Sequence, residues 1–186
     1  MPSPIAHSIS GYALSRLPFV KKQLPGKVIA LTPLAALYGI FVSCLPDLDF
    51  LPQIVTGIRF HRGPSHSLVA AVLVSALLAF VIHHFRKSTR RQTHYGGLFK
   101  LTIGFYGMHL LMDLVTAGGS GMPLLWPLSD HTFSAPFSLF PPVHHSRGLW
   151  NMSHLTFISV ELLYAVVLFA VIGFIKGRRQ PGTDNT

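Results

Sequence analysis

Four stretches of the chain are apolar and almost free of charge: 28–45, 67–85, 98–117 and 155–175. Each approaches the roughly 20 residues that a helix needs to cross the hydrocarbon core of a bilayer. None alternates apolar and polar residues with the period of two that marks a half-buried strand. Each therefore predicts a transmembrane helix, with Pro33 near the start of the first, where proline is tolerated. A weaker stretch, 5–20, predicts a short helix, tilted or interfacial, that ends near Pro18. Residues 118–154, rich in glycine, proline, serine and aromatics, predict a long loop, and 181–186 a disordered tail. The expected fold is all-α. It is a polytopic membrane helical bundle of four transmembrane helices plus a short N-terminal helix that also spans. Residues 1–180 form one domain, without internal repeat.

Composition supports the membrane assignment. Of 186 residues, 49% are hydrophobic and 11% charged, against roughly 25% charged in soluble domains. The net charge of +9 does not point to nucleic acid, because the positive residues lie between apolar runs and not along one face. They set orientation instead. If the four helices alternate, Lys21, Lys22, Lys27, Arg86, Lys87, Arg90, Arg91, Lys100, Lys176, Arg178 and Arg179 share one side, and the opposite loops hold Arg59, Arg62 and Arg147. That is the positive-inside pattern. It predicts a multi-pass membrane protein whose segments 46–66 and 118–154 face outward, to the periplasm if the cell is Gram-negative. Residues 1–20 lack a basic leading region, so no cleavable signal is expected. The single cysteine, Cys44, excludes an internal disulfide and any CxxC zinc motif, and reads as a small residue near a helix end.

The chemistry gathers on the outer side. Of six acidic residues, two stand in Cys44-Leu45-Pro46-Asp47-Leu48-Asp49. The next apolar run opens with His61-Arg62-Gly63-Pro64-Ser65-His66-Ser67. On the third span His109 and Asp113 are four apart and share one helical face. If 5–20 spans, His7 reaches the same level. Ionisable groups at this depth are costly unless paired or bound to metal. Imidazole plus carboxylate without thiolate suits zinc, with manganese or iron compatible. His7, Asp47, Asp49, His61, His66, His109 and Asp113 are thus the expected ligands of one or two divalent ions. A two-metal centre of this kind stabilises attacking and leaving oxygens in phosphoester or amide hydrolysis. Asp47 or Asp49 would act as general base if not a ligand. Arg62 would hold a phosphate through its planar fork, and Ser65 or Ser67 would hydrogen-bond it or orient a ligand.

Plainer roles compete with these. A lone histidine on an apolar face is usually a packing residue. Pro46-Asp47 can be a helix stop, Asp49 an N-cap, and Arg62 a lipid-headgroup contact. His83, His84 and His94 lie among cytoplasmic arginines and read as interfacial or solvated. His144, His145 and His154 read as surface histidines. Glu161, two turns into the last helix, reads equally as a partner of the site or as a helix–helix hydrogen bond. Residues 118–128 suggest a lid or a rim over the site, and Trp126, Phe133, Phe137 and Phe140 suit a lipid–water interface.

Ala6-His7, Cys44 to Asp49, His61 to Ser67, the His109/Asp113 pair and Pro123-Leu124-Leu125-Trp126-Pro127 occur in that order over most of the chain. Together they resemble the bacterial membrane-bound metal-dependent hydrolases, a family that includes the LexA-regulated inner-membrane protein. Ser65 stands where that family commonly has threonine, and Pro64 precedes it, which keeps the hydroxyl. The resemblance implies an inner-membrane hydrolase with a metal centre. The family's His/Asp pattern is distantly similar to zinc-dependent phospholipase C, which implies a small-molecule or lipid phosphoester as substrate and membrane lipids as partners. The alternative is a non-catalytic metal-binding, transport or stress-response membrane protein. A transporter, however, would need polar residues continuing through the membrane.

Overall fold

The computed structural model describes residues 2–17, 20, 33–57, 62–87, 94–117, 121–141 and 153–178. The long elements are α1 (Pro4–Ser15), α2 (Pro33–Cys44), α3 (Phe50–Thr56), α4 (Leu68–Lys87), α5 (Tyr95–Leu114) and α6 (Ser153–Gly177). Two 3-10 turns, Leu45–Asp49 and Pro64–His66, flank α3. Among the described residues there is no strand, only isolated bridges pairing Thr116 with Phe140 and Met122 with Phe133.

Three helical runs among the described residues are long and apolar enough to cross a membrane: Pro33–Thr56, Leu68–Phe85 and Leu155–Ile175. The expectation of four such spans plus an N-terminal one is met only in part, for two reasons. The helix α5 has the length, at 20 residues, but it carries Lys100, His109 and Asp113 and is less apolar. It lies at the centre, with Leu98, Leu101, Phe105, Tyr106 and Leu110 in the core. The helix α1 has only 12 residues, about 18 Å at 1.5 Å per residue, against a hydrocarbon core of about 30 Å. By contrast α6 turns Leu162, Leu163, Val166 and Val167 outward, as a lipid-facing helix does.

The run through α2 is longer than the expected 28–45. Pro46 does not stop it. The proline sits in the first turn of the 3-10 segment, a position where proline is tolerated. Helical structure therefore continues past Asp47 and Asp49 to Thr56, where Gly57 closes it at φ 69°, the left-handed conformation that glycine accepts at a helix end.

The helix α1 docks on α2 where Gly11 meets Gly39, backbone against backbone. A Cβ on Gly39 would stand 2.5 Å from the Gly11 carbonyl oxygen and 3.0 Å from the Phe105 ring. Close approach here needs both side chains to be absent. Ser3 caps α1 by accepting the N–H groups of Ile5 and Ala6, an N-cap of the usual kind. A second apolar cluster, Ala6, Met112 and Phe140, joins α1 to α5 and the segment after it, with Val160 and Tyr164 of α6 packed against it.

Candidate metal centre

Four ligand-type side chains converge from three places in the chain. Asp47 comes from the first 3-10 turn, His66 from the second, and His109 and Asp113 from the last two turns of α5. One donor atom from each lies within 4.8 Å of the others. His66 and His109 are fully buried, Asp113 nearly so, and Asp47 keeps 13% side-chain exposure.

The separations fit a shared central ion. His66 Nε2 is 3.2 Å from His109 Nε2, 3.4 Å from Asp113 Oδ2 and 3.7 Å from Asp47 Oδ1. His109 Nε2 is 3.6 Å from Asp47 Oδ1 and 4.0 Å from Asp113 Oδ2. Most of these exceed hydrogen-bond length. Donors about 2.1 Å from a tetrahedral centre stand roughly 3.4 Å apart, close to the spacing seen. Both carboxylate oxygens of Asp47 and both of Asp113 are buried without a hydrogen-bond partner. Leaving such groups unpaired costs several kcal/mol in an apolar interior, and a divalent cation satisfies them. The residues present fit such an ion, and the N/O donor set is that of zinc, manganese or iron.

Both imidazoles are turned so that a lone pair faces the centre. His109 Nδ1 lies 2.7 Å from the Ser43 carbonyl, which can only accept, so Nδ1 carries the proton and Nε2 is the donor to a cation. His66 Nδ1 lies 3.2 Å from Asp49 Oδ2 and 3.0 Å from Ser65 Oγ. The Ser65 hydroxyl donates to the same Asp49 oxygen at 2.7 Å, so it accepts from His66. Nδ1 is again the protonated nitrogen, and Nε2 is left for a cation. A carboxylate behind a ligating histidine fixes its tautomer and raises its basicity.

Asp49 and Ser65 thus lie behind His66, on the side away from the four converging atoms. The two aspartates part for a simple reason. At three residues per turn, positions two apart on a 3-10 helix point about 120° apart. Asp47 reaches one ring nitrogen of His66 and Asp49 the other. The whole turn is anchored by the Tyr106 hydroxyl, which donates to the Ser65 carbonyl at 2.6 Å. Tyr106 and the Ser43 carbonyl are positioning groups that sequence reasoning missed. Tyr106 precedes His109 by three residues and shares its helix face, which was the available signal for it. A backbone carbonyl leaves no trace in a sequence.

His7 is wholly buried. Its ring stacks on His109 at 3.9 Å, and its Nε2 is 3.4 Å from Asp113 Oδ1. It therefore meets the carboxylate oxygen not turned toward the other histidines. Arg62 places Nε 3.6 Å from Asp113 Oδ2 and holds φ 61°, a left-handed conformation that is uncommon for a residue with a side chain. His61, expected as a ligand, lies outside the described residues, as do His144 and His145. Ser67 caps α4, accepting the Ala70 N–H. His84 and His94 are exposed and His83 faces Tyr95, at the opposite end of α4 from the cluster. Trp126 and Phe137 are exposed, as interfacial aromatics would be, whereas Phe140 is buried edge-on to Tyr164. The segment after α5 is tied to the start of α4 by the Leu68 N–H, which donates to the Leu124 carbonyl at 2.9 Å.

The charge balance makes cation binding pH-dependent. Burial pushes the His66 imidazole down, but the facing carboxylates of Asp113, Asp47 and Asp49 outweigh it and raise its pKa to about 10. The ion-free protein therefore holds a proton that a metal must displace. Affinity is expected to rise with pH up to about 10, which calorimetric titration with zinc would measure. The sign for stability is opposite. A pKa raised above its unfolded value of 6.5 stabilises the ion-free fold fully below 6.5 and loses that contribution toward 10. Melting of metal-stripped protein should fall across this window, and melting of loaded protein should not.

No solved structure matches this chain. Inner membrane protein YbcI of Escherichia coli strain K12 is 32% identical over 153 residues, covering 76% of this chain and 83% of that relative. Residues 1–179 match the family described as YdjM inner membrane protein. With nearly the whole chain covered, three membrane-length apolar helices and an all-helical bundle, the protein belongs to the YdjM family of bacterial inner-membrane proteins.

Proposed function

We propose that the chain is a membrane-bound metal-dependent hydrolase acting on a phosphoester, that of a lipid, at the outer face of the inner membrane. The observation that supports this reading is the buried set Asp47, His66, His109 and Asp113, four convergent donor atoms from three separate elements. Zinc is the ion we assign. When bound, a divalent cation supplies Lewis-acid chemistry and lowers the pKa of water toward neutrality. The chain's own groups do the rest. Ser43 and Asp49 hold the two histidines in the tautomer that leaves Nε2 open. Arg62, beside Asp113 at the edge of the cluster, offers the guanidinium geometry that recognises phosphate. Asp49 is committed to His66 and Ser65, so the general base is Asp47, which faces the cluster through Oδ1 and would take the proton on Oδ2.

In this reading α5 crosses the membrane with the three more apolar helices. The end of α2, the start of α4 and the end of α5 then meet at one face, opposite the basic residues. The short α1 lies inside the bundle and brings His7 to that face.

The test is metal analysis of purified protein, coupled to a phosphoester screen with phospholipid vesicles and soluble phosphate esters. Bound metal with hydrolysis that Asp47→Asn lowers by about 100-fold or more is the expected result. Bound metal without turnover of any ester would replace this reading with a metal-binding or transport role.

A further inference from the structure

The last helix contributes no residue to the four converging donors, yet it carries a buried carboxylate. Glu161 accepts the Ser3 N–H on Oε1 at 2.6 Å and the Ser3 hydroxyl on Oε2 at 2.6 Å. Its charge meets the N-terminus of α1, where free N–H groups and the helix dipole favour an anion. One turn further along α6, the Tyr164 hydroxyl lies 2.8 Å from Ser10 Oγ. Ser10 also reaches the Met112 sulfur at 3.0 Å, next to Asp113. Ser3, His7 and Ser10 are spaced four and three apart, so they share one face of α1. Glu161 and Tyr164 are three apart and share one face of α6. The two contacts therefore bracket His7, and the His7 N–H bonds to the Ser3 carbonyl at 3.3 Å.

We infer that α6 is a two-point clamp, and that Glu161 and Tyr164 are positioning residues that hold α1 in the register placing His7 against Asp113 and His109. His7 has both ring nitrogens buried, and its one polar side-chain contact, Nε2 to Asp113 Oδ1, is long at 3.4 Å, so the ring is weakly held by its own bonding. Its placement comes from the backbone of α1, which the clamp holds. An ordinary helix–helix contact would have no reason to flank a site residue on both sides. A carboxylate within a membrane helix is costly enough to be kept for a function. The inference rests on the proposed metal centre for its consequence, but not for its geometry.

Two measurements on the full chain test it. In metal-free protein, the ring nitrogen signals of 15N-labelled histidines report the His7 environment directly. Glu161→Ala and Ser3→Ala should shift the His7 signal, identified by its loss in His7→Ala, and leave that of His84 in place. Glu161→Gln retains one acceptor and gains a donor, so it should shift the signal least. Zinc titration is the second readout. Glu161→Ala should weaken binding about tenfold, the lower end for groups that orient ligands. It should weaken binding no further in a His7→Ala background. An unmoved His7 signal, or an equal zinc penalty in both backgrounds, would overturn the clamp. Absence of zinc binding by the wild type would sink the metal centre instead, and the histidine signals would still decide the clamp.

Discussion

Asp113→Asn is expected to abolish tight metal binding while leaving the helical bundle assembled. Asp113 meets three imidazoles, against two for Asp47. Oδ2 faces His66 at 3.4 Å and His109 at 4.0 Å, and Oδ1 faces His7 at 3.4 Å. Asparagine keeps its shape and removes its charge. Outer partners of metal ligands are worth about 10–100-fold in affinity, so loss of this residue should cost more than about 100-fold. His84→Ala, an exposed ring at the other end of α4, should leave affinity unchanged. Elemental analysis after dialysis and calorimetric titration both read this out. Wild-type affinity in Asp113→Asn would rule out the cluster as the metal site.

The second large effect is structural. Gly39→Ala should destabilise the protein by about 3 kcal/mol, the upper part of the range for overpacking a tight interior. The added carbon would meet the Gly11 carbonyl and the Phe105 ring, and a backbone oxygen cannot rotate away as a side chain can. The helix α1 would have to lift from α2, taking His7 with it. Gly104→Ala is the comparison, because a Cβ there meets nothing within 4 Å. Removing a glycine from an open helix position stabilises by up to about 1 kcal/mol. Thermal unfolding in detergent should separate the two variants clearly. Equal stability of both would show that the Gly11–Gly39 contact is looser than described.

Much of this arrangement was legible in the sequence, and the exceptions have physical causes. The His109/Asp113 pair was readable because helix periodicity alone puts positions four apart on one face. Asp47 and His66 were readable as the polar ends of apolar runs. The division of labour between Asp47 and Asp49 was not, because it depends on the segment being a 3-10 helix and not an extended loop. Pro46 suggested a stop when its position in the first turn makes it harmless. The length of α1 was overread, since 5–20 is only marginally long and apolar for a span and the helix ends at Ser15. The central place of α5 was hidden for the opposite reason: its polar groups lower its hydropathy because they belong to the cluster. The partner of Glu161 was unreadable, because nothing local points to a serine 158 positions away.

That last separation has a consequence for how the protein is made. Ser3 leaves the ribosome well before the carboxylate that receives it, which comes 158 residues later. At roughly 5–20 residues per second, the first helix waits about 8–30 s for its clamp. All four converging donors are synthesised in that interval, the last of them, Asp113, well before Glu161. The pocket can therefore form, and meet an ion, while α1 is still held only by the glycine contact with α2. Insertion of α6 then locks a structure already built, so α6 is the step that fixes the place of α1.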